Sequence, residues 1–151
     1  FGTMGFGLGA AIGAQLGNPD KRVIHITGDG GFRMNCNELA PVQYYGLPIV
    51  SVIFNNGTLG MVRQWQSLIY GGRYSATTLD RGPDFVRLAG AYGLKGFRAT
   101  TRAEVEQALA AALDAGCGAI IDCQLDIDEM VRPMVAAGAP ITDFLLKEAT
   151  T

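Results

Sequence analysis

Two short turns carry the residues of this chain best suited to chemistry. They are Gly28-Asp29-Gly30 and, beyond the 24 residues 31–54, Asn55-Asn56. An Asp carboxylate and an Asn carbonyl oxygen are hard donors. They are too few to cage calcium, but they suit a magnesium ion that completes its octahedron with phosphate oxygens and water. The glycines beside the Asp let backbone N–H groups approach a phosphate, and the start of a following helix favours negative charge. Either turn alone reads as ordinary turn chemistry. As a pair, each closing a β-rich run, they describe a clamp for magnesium and a diphosphate.

Other reactive residue types offer less. His25 is the one histidine, set mid-strand, and reads as a satisfied core histidine because no partner spacing supports a catalytic triad or a zinc site. Cys36, Cys117 and Cys123 form no C-x-x-C pair and read as reduced, buried thiols. Arg63 and Arg73 have the charge to meet a substrate carboxylate, although exposed arginines are the default.

The elements that must position the clamp follow from punctuation and periodicity. Val23–Ile26 and Ile49–Phe54 read as strands that end in the two turns. Between them Asn35 and Glu38 have capping-box spacing, which predicts a helix to about Tyr45 stopped by Gly46 and Pro48. Strand, helix, strand demands parallel pairing, and runs apolar on both faces predict a sheet covered on both sides. Further along, 61–69 and 85–92 read as helices and 94–99 as a strand, and Thr101 with Glu104 opens another capping box. Val105, Ala108, Leu109, Ala112 and Leu113 then form an apolar stripe, and 119–125 is a final buried strand. Residues 130–151 read as tail with a short helix near Phe144. The alternation predicts a doubly wound α/β parallel sheet with helices on both faces, in one domain spanning 1–151.

Gly5, Gly9, Gly13 and Gly17 recur every four residues, so one helix face is a glycine ridge where another backbone comes close, in the core or at a subunit interface. Gly5, Gly7 and Gly9 superficially resemble a dinucleotide fingerprint, but no strand precedes them as that motif requires.

Composition narrows the class. Of 151 residues, 48% are hydrophobic, 17% are charged and 21 are glycine, which is too apolar for disorder and enough to bury one sizeable core. Twelve basic and 14 acidic residues, scattered, leave a net charge of -2 and no electrostatic footprint for nucleic acid. Residues 1–19 are uncharged, yet six glycines, Gln15 and Asn18 argue for a buried helix rather than a membrane span, and no charged leader region precedes them.

The G-D-G and N-N pair resembles the signature of thiamine diphosphate enzymes. Beyond it, Gly60-Met61-Val62-Arg63-Gln64-Trp65-Gln66 is similar to the G-M-V-x-Q-W-Q segment of the acetolactate synthase (acetohydroxyacid synthase) large subunit. Gly2-Thr3-Met4-Gly5, Tyr74-Ser75, Pro83-Asp84-Phe85, Gly93-Leu94-Lys95-Gly96 and Pro133-Met134-Val135 extend the resemblance over nearly the whole chain. It implies magnesium held by Asp29, Asn56 and the Thr58 carbonyl. It also implies a cofactor site of Gly2, Met4, Gly28, Asp29, Gly30, Gly31, Asn56, Thr58, Gly60 and Met61. In that site Met4 props the bent cofactor and the Gly2 carbonyl receives its amino group. Trp65 and Met61 are implied to line the substrate pocket.

The activity so implied decarboxylates pyruvate and joins the two-carbon unit to a second 2-oxo acid, pyruvate or 2-oxobutyrate, in branched-chain amino-acid biosynthesis. The activating glutamate is expected on a separate pyrimidine-binding domain, so no catalytic residue is assigned in this chain, which is expected to be nearly inactive alone. FAD, a homo-oligomer of at least two subunits and a regulatory small subunit are expected for the whole enzyme, in the cytoplasm or a plastid. The alternatives are another carboligase such as glyoxylate carboligase, against which Trp65 and its flanks argue, and a non-catalytic assembly module. A nicotinamide-binding domain is a third, weakened by the missing strand-first fingerprint.

Overall fold

The computed structural model describes residues 2–136 and 138–145. Four strands form its sheet: β1 (Ile24–Gly28), β2 (Val50–Asn55), β3 (Lys95–Ala99) and β4 (Ala119–Gln124). Their spatial order is β1-β2-β4-β3 and every pairing is parallel. The central pair, β2 and β4, is the pair with unbroken buried runs, as strands covered on both faces must be.

The helices are α1 (Phe6–Gly17), α2 (Asp29–Met34), α3 (Leu39–Tyr44), α4 (Gly60–Leu68), α5 (Phe85–Ala91) and α6 (Arg102–Asp114). On one face of the sheet Ile53 and Ile120 pack with Leu8, Phe32, Leu39 and Phe85, which come from α1, α2, α3 and α5. On the other face Val50, Val52, Ile121 and Cys123 meet Ala108 and Ala112 of α6. Crossovers that step outward from β1 to β2 and on to β3 run over the first face, and the return from β3 to β4 runs over the second. This is the doubly wound arrangement that right-handed crossovers require.

Local chemistry sets several boundaries. Thr101 and Glu104 form the expected capping box at the start of α6, with the Thr101 Oγ1 accepting from the Glu104 N–H at 3.3 Å. Asp84 caps α5, accepting from the Val86 and Arg87 N–H groups, and these bonds with the nearby Arg98 guanidinium hold its carboxyl below the usual range.

Other expectations are corrected. Asn35 and Glu38 form no capping box. The chain from Asp29 is already helical as α2, and Cys36–Glu38 is a 3-10 turn leading into α3. Asn35 instead donates its side-chain amide to the Gly5 carbonyl at 3.0 Å. Near Phe144 there is a strand, β6 (Phe144–Leu145), paired antiparallel with β5 (Met134–Val135), where a helix was expected. The sheet is not covered throughout, because Ile24 and Ile26 on β1 are 45% and 65% exposed.

Residues 6–17 form a 12-residue helix, roughly 18 Å long and short of the ~30 Å core of a bilayer. Among the described residues no helix is long and apolar enough to cross a membrane. The glycine ridge meets another backbone at its first residue, where a Cβ at Gly5 would lie 2.9 Å from Met34 Cβ and 3.4 Å from the Gly31 carbonyl oxygen, whereas among the described residues a Cβ at Gly9, Gly13 or Gly17 would find nothing within 4 Å. The closely packed glycine of α1 is Gly7, which lies against the imidazole of His25.

That imidazole is buried, with Nδ1 3.2 Å from the Ser51 Oγ, and burial holds its pKa below the ordinary value of 6.5. The unfolded chain therefore takes up this proton at a higher pH than the folded one. The stability contribution of neutral His25 is intact above about 6.5 and is lost as pH falls toward the folded pKa. Denaturant unfolding at pH 7.5 and 5.5 is expected to show lower stability at 5.5, with a smaller drop in His25→Gln.

Candidate functional site

Parallel register places Gly28 beside Phe54, so the chain leaves β1 at Asp29 next to where it leaves β2 at Asn55 and Asn56. A cleft of about 860 Å3 opens at these C-terminal strand ends, the edge where open α/β sheets bind ligands. Asp29, Asn56 and Thr58 all line it, as do Gly28, Gly30, Gly31 and Gly60. Gly2, Met4 and Met61 also line it, so the ten residues expected to hold a cofactor share one cavity.

The glycines matter where the walls close in. A Cβ at Gly30 would lie 2.7 Å from Leu59 Cδ2 and 3.4 Å from Met4 Cε, so Met4 leans over the G-D-G turn. A Cβ at Gly60 would lie 2.9 Å from Asn56 Nδ2, so this glycine leaves room for the Asn56 amide.

The loop that carries Asn56 and Thr58 is held on several sides. The Asn56 Oδ1 accepts from the Thr58 N–H at 3.3 Å. The Thr58 hydroxyl, fully buried, donates to the Thr77 carbonyl at 2.9 Å. The Leu79 N–H donates to the Gly57 carbonyl at 2.7 Å and the Leu59 N–H to the Thr77 carbonyl at 2.8 Å, which makes a short antiparallel bridge between Thr58 and Thr78. Arg33 ties this strap to α2 through the Leu79 carbonyl at 3.2 Å, its guanidinium lying against Gly82.

Asp29 is 3% exposed, and burial raises its pKa above the ordinary 3.8, opposed by the Gly30 N–H and the Arg33 charge. It forms no ion pair among the described residues. No group of three or more His, Cys, Asp or Glu able to hold a metal occurs among them either. Beside the two turns the donor set is therefore one carboxylate, one side-chain amide oxygen and backbone carbonyls, the other carboxylate lining the cleft being the exposed Glu129 of residues 125–131. A buried anion with that company fits a magnesium ion that brings phosphate oxygens as its remaining ligands.

The other candidates fall outside the cleft. Trp65, half-buried on α4, is not among the lining residues, whereas Val62 and Gln64 of the same helix are. Arg63 is committed to Asp128 at 2.7 Å and stacks over Tyr74 with its guanidinium 3.8 Å from the ring centre. Arg73 is exposed and donates to the Tyr70 carbonyl. Cys36, Cys117 and Cys123 are free thiols.

Sequence reasoning missed the wall built by residues 125–131, of which Leu125, Glu129, Met130 and Val131 face the cleft. Gln64 fastens that wall by mimicking a backbone edge. It donates to the Val131 carbonyl at 3.0 Å and accepts from the Val131 N–H at 2.8 Å. The available signal was the position of Gln64 on α4, one turn from the cleft-lining Gly60. Gln64→Leu leaves both Val131 backbone groups unpaired and is expected to destabilise the fold by about 1–3 kcal/mol. Urea unfolding and proteolysis within 125–136 would report it.

A parallel α/β sheet whose G-D-G and N-N turns meet in a cleft at its C-terminal edge is the arrangement of the diphosphate-binding class of thiamine diphosphate enzymes. Residues 1–123 match the family described as thiamine pyrophosphate enzyme, C-terminal TPP binding domain, and the chain belongs to that family. It is 44% identical over 144 residues to the probable acetolactate synthase large subunit of Methanococcus aeolicus, covering 95% of this chain and 24% of that protein. It is 47% identical over 138 residues to the acetolactate synthase large subunit of Pyropia yezoensis, covering 91% and 23%. Among solved structures it is similar to the Rhodococcus jostii RHA1 thiamine diphosphate-dependent 4-hydroxybenzoylformate decarboxylase. That match has TM-score 0.76 and 36% identity and covers 83% of this chain and 24% of that one. The chain spans about a quarter of the length of the curated relatives it matches.

Proposed function

We propose that this chain is the thiamine diphosphate- and magnesium-binding domain of an acetolactate synthase large subunit. The observation that carries the reading is the meeting of Asp29, Asn56 and Thr58 on one cleft under a G-D-G turn. Identities of 44% and 47% to acetolactate synthase large subunits support this enzyme over other members of the class.

Asp29, Asn56 and the Thr58 carbonyl would hold magnesium. The backbone N–H groups of residues 28–31 and the first turn of α4 would take the diphosphate. Bound thiamine diphosphate supplies the carbon nucleophile and electron sink that decarboxylate one 2-oxo acid and join the remainder to a second. The chain's own work is to orient the cofactor and keep water from its reactive end. Met4 and Met61 supply apolar surface for this, and the wall held by Gln64 closes one side.

The substrates proposed are pyruvate and 2-oxobutyrate, in branched-chain amino-acid biosynthesis, in the cytoplasm or a plastid. A pyrimidine-binding domain, a middle domain with FAD, a homo-oligomeric assembly and a regulatory small subunit complete the proposal. The bare apolar face at Ile24, Ile26 and Phe54, running to the rim of the cleft, supports further protein mass on that side.

The test is a product assay on the whole polypeptide that carries this chain, given pyruvate or, in a parallel reaction, glyoxylate, with thiamine diphosphate and magnesium. Acetolactate is the expected product. Acetaldehyde alone, or tartronate semialdehyde from glyoxylate, would move the protein to another 2-oxo acid decarboxylase or carboligase, the reading that likeness to the benzoylformate-type decarboxylase favours.

A further inference from the structure

Asp122 is a carboxylate buried in the middle of the sheet, 1% exposed, with no role in the clamp described above. Its partners are specific. Oδ1 accepts from the side-chain amide of Asn55 at 2.8 Å and from that of Gln124 at 2.8 Å. Oδ2 accepts from the Arg98 guanidinium at 3.4 Å, and the same guanidinium reaches the α5 cap Asp84 at 2.9 Å. A buried carboxylate with two amide donors and an arginine is costly to assemble, and removing one partner from such a set costs more than the set contributes.

The chain of bonds leads to the metal loop. Asn55 presents its Nδ2 to Asp122, which fixes the amide so that its Oδ1 points the other way. That oxygen accepts the Gly57 N–H at 3.2 Å, closing a turn around Asn56. Asn56 and Thr58, the residues that would ligate magnesium, lie within and just after that turn. The carboxylate thus selects one of two amide orientations, since Asn55 flipped would set oxygen against oxygen at Asp122 and offer NH2 to an N–H at Gly57.

We propose that Asp122 is a positioning residue for the magnesium site. It acts through the Asn55 amide to set the turn that aims the Asn56 oxygen and the Thr58 carbonyl. The proposal rests on the reading of this cleft as a magnesium and thiamine diphosphate site.

The experiment is calorimetric titration of thiamine diphosphate across a magnesium series, using the whole polypeptide that carries this chain. Wild type, Asp29→Ala, Asp122→Asn, Asn55→Asp and the pair Asn55→Asp with Asp122→Asn are compared, with melting temperatures recorded for each. Asp122→Asn is expected to raise the magnesium concentration for half-saturation about tenfold. Asn55→Asp, which sets carboxylate against carboxylate, should raise it further. The reciprocal pair restores a donor facing an acceptor with the places exchanged, and is expected to return half-saturation to within about threefold of wild type. A purely structural role would lower melting temperatures without moving the magnesium dependence, and would show no such rescue.

Half-saturation within twofold of wild type in folded Asp122→Asn would overturn the proposal, as would a pair no better than Asn55→Asp alone. Should Asp122→Asn fail to fold, Asn55→Ala, which leaves Asp122 its Gln124 and Arg98 partners, carries the same expectation and the same refutation. Wild type and Asp29→Ala binding alike, with no magnesium dependence, would instead refute the cleft reading on which the proposal stands.

Discussion

Asp29→Ala is expected to weaken magnesium-dependent thiamine diphosphate binding by at least about 100-fold, or about 2.7 kcal/mol. Loss of groups that merely orient a metal ligand already costs about 10–100-fold, and Asp29 is the one carboxylate beside Asn56 and Thr58. Removing the charge at this position has an opposite effect on the empty protein. Burial raises the Asp29 pKa above 3.8, so the folded state holds this proton more tightly than the unfolded chain. The penalty is fully present above the folded pKa and is relieved as pH falls through it. In its ionised form the buried carboxylate therefore destabilises the fold, and Asp29→Asn is expected to raise the melting temperature without cofactor. Adding magnesium and thiamine diphosphate should then raise it further in wild type and not in the variant. Thermal melts with and without both ligands check this directly; a variant that melts lower than wild type when empty would contradict it.

The second large effect concerns the chain by itself. Purified alone, it is expected to form acetolactate at least about 1,000-fold more slowly than the whole polypeptide, in keeping with the rate share of a positioned acid or base group. Its cleft is one-sided: Met4, Phe54 and Met61, which line it, are 40%, 46% and 48% exposed. A cofactor resting there would keep one face in water, where electrostatic assistance is weak. The acidic groups lining the cleft are Asp29, the proposed metal ligand, and the exposed Glu129 on the wall at 125–131. The proposal therefore takes the activating glutamate from a pyrimidine-binding domain. Product measured from the isolated chain at rates near those of the whole polypeptide would refute that division of labour, and loss of the product in Glu129→Gln would assign the role to this chain.

Much of the architecture was legible because the strongest signals were local. The parallel sheet follows from apolar runs that end in turns, and the α6 capping box from Thr101 and Glu104. The meeting of the two turns at one cleft was legible because each, ambiguous alone, falls at the end of a strand and the two strands must be neighbours. What escaped depended on partners distant in sequence. Asn35 has the spacing of a helix cap, but its amide finds Gly5, and the helix it was to open begins elsewhere. Phe144 belongs to a two-residue strand fixed by pairing with Val135. The glycine ridge predicted a close neighbour, which Gly5 finds in Met34 and Gly31, yet among the described residues the face at Gly9, Gly13 and Gly17 is open, and the closely packed glycine inside α1 is Gly7, on His25. The wall at 125–131 joins the cleft because Gln64 and Arg63 hold it across more than 60 residues of sequence, a contact no spacing announces.

The most direct measurement is a calorimetric titration of thiamine diphosphate into the whole polypeptide that carries this chain, with magnesium and with magnesium removed by a chelator. Saturable binding of one cofactor per chain that appears with magnesium and disappears without it is the predicted result. Equal binding under both conditions, or none in either, would contradict a magnesium and diphosphate clamp built on Asp29 and Asn56.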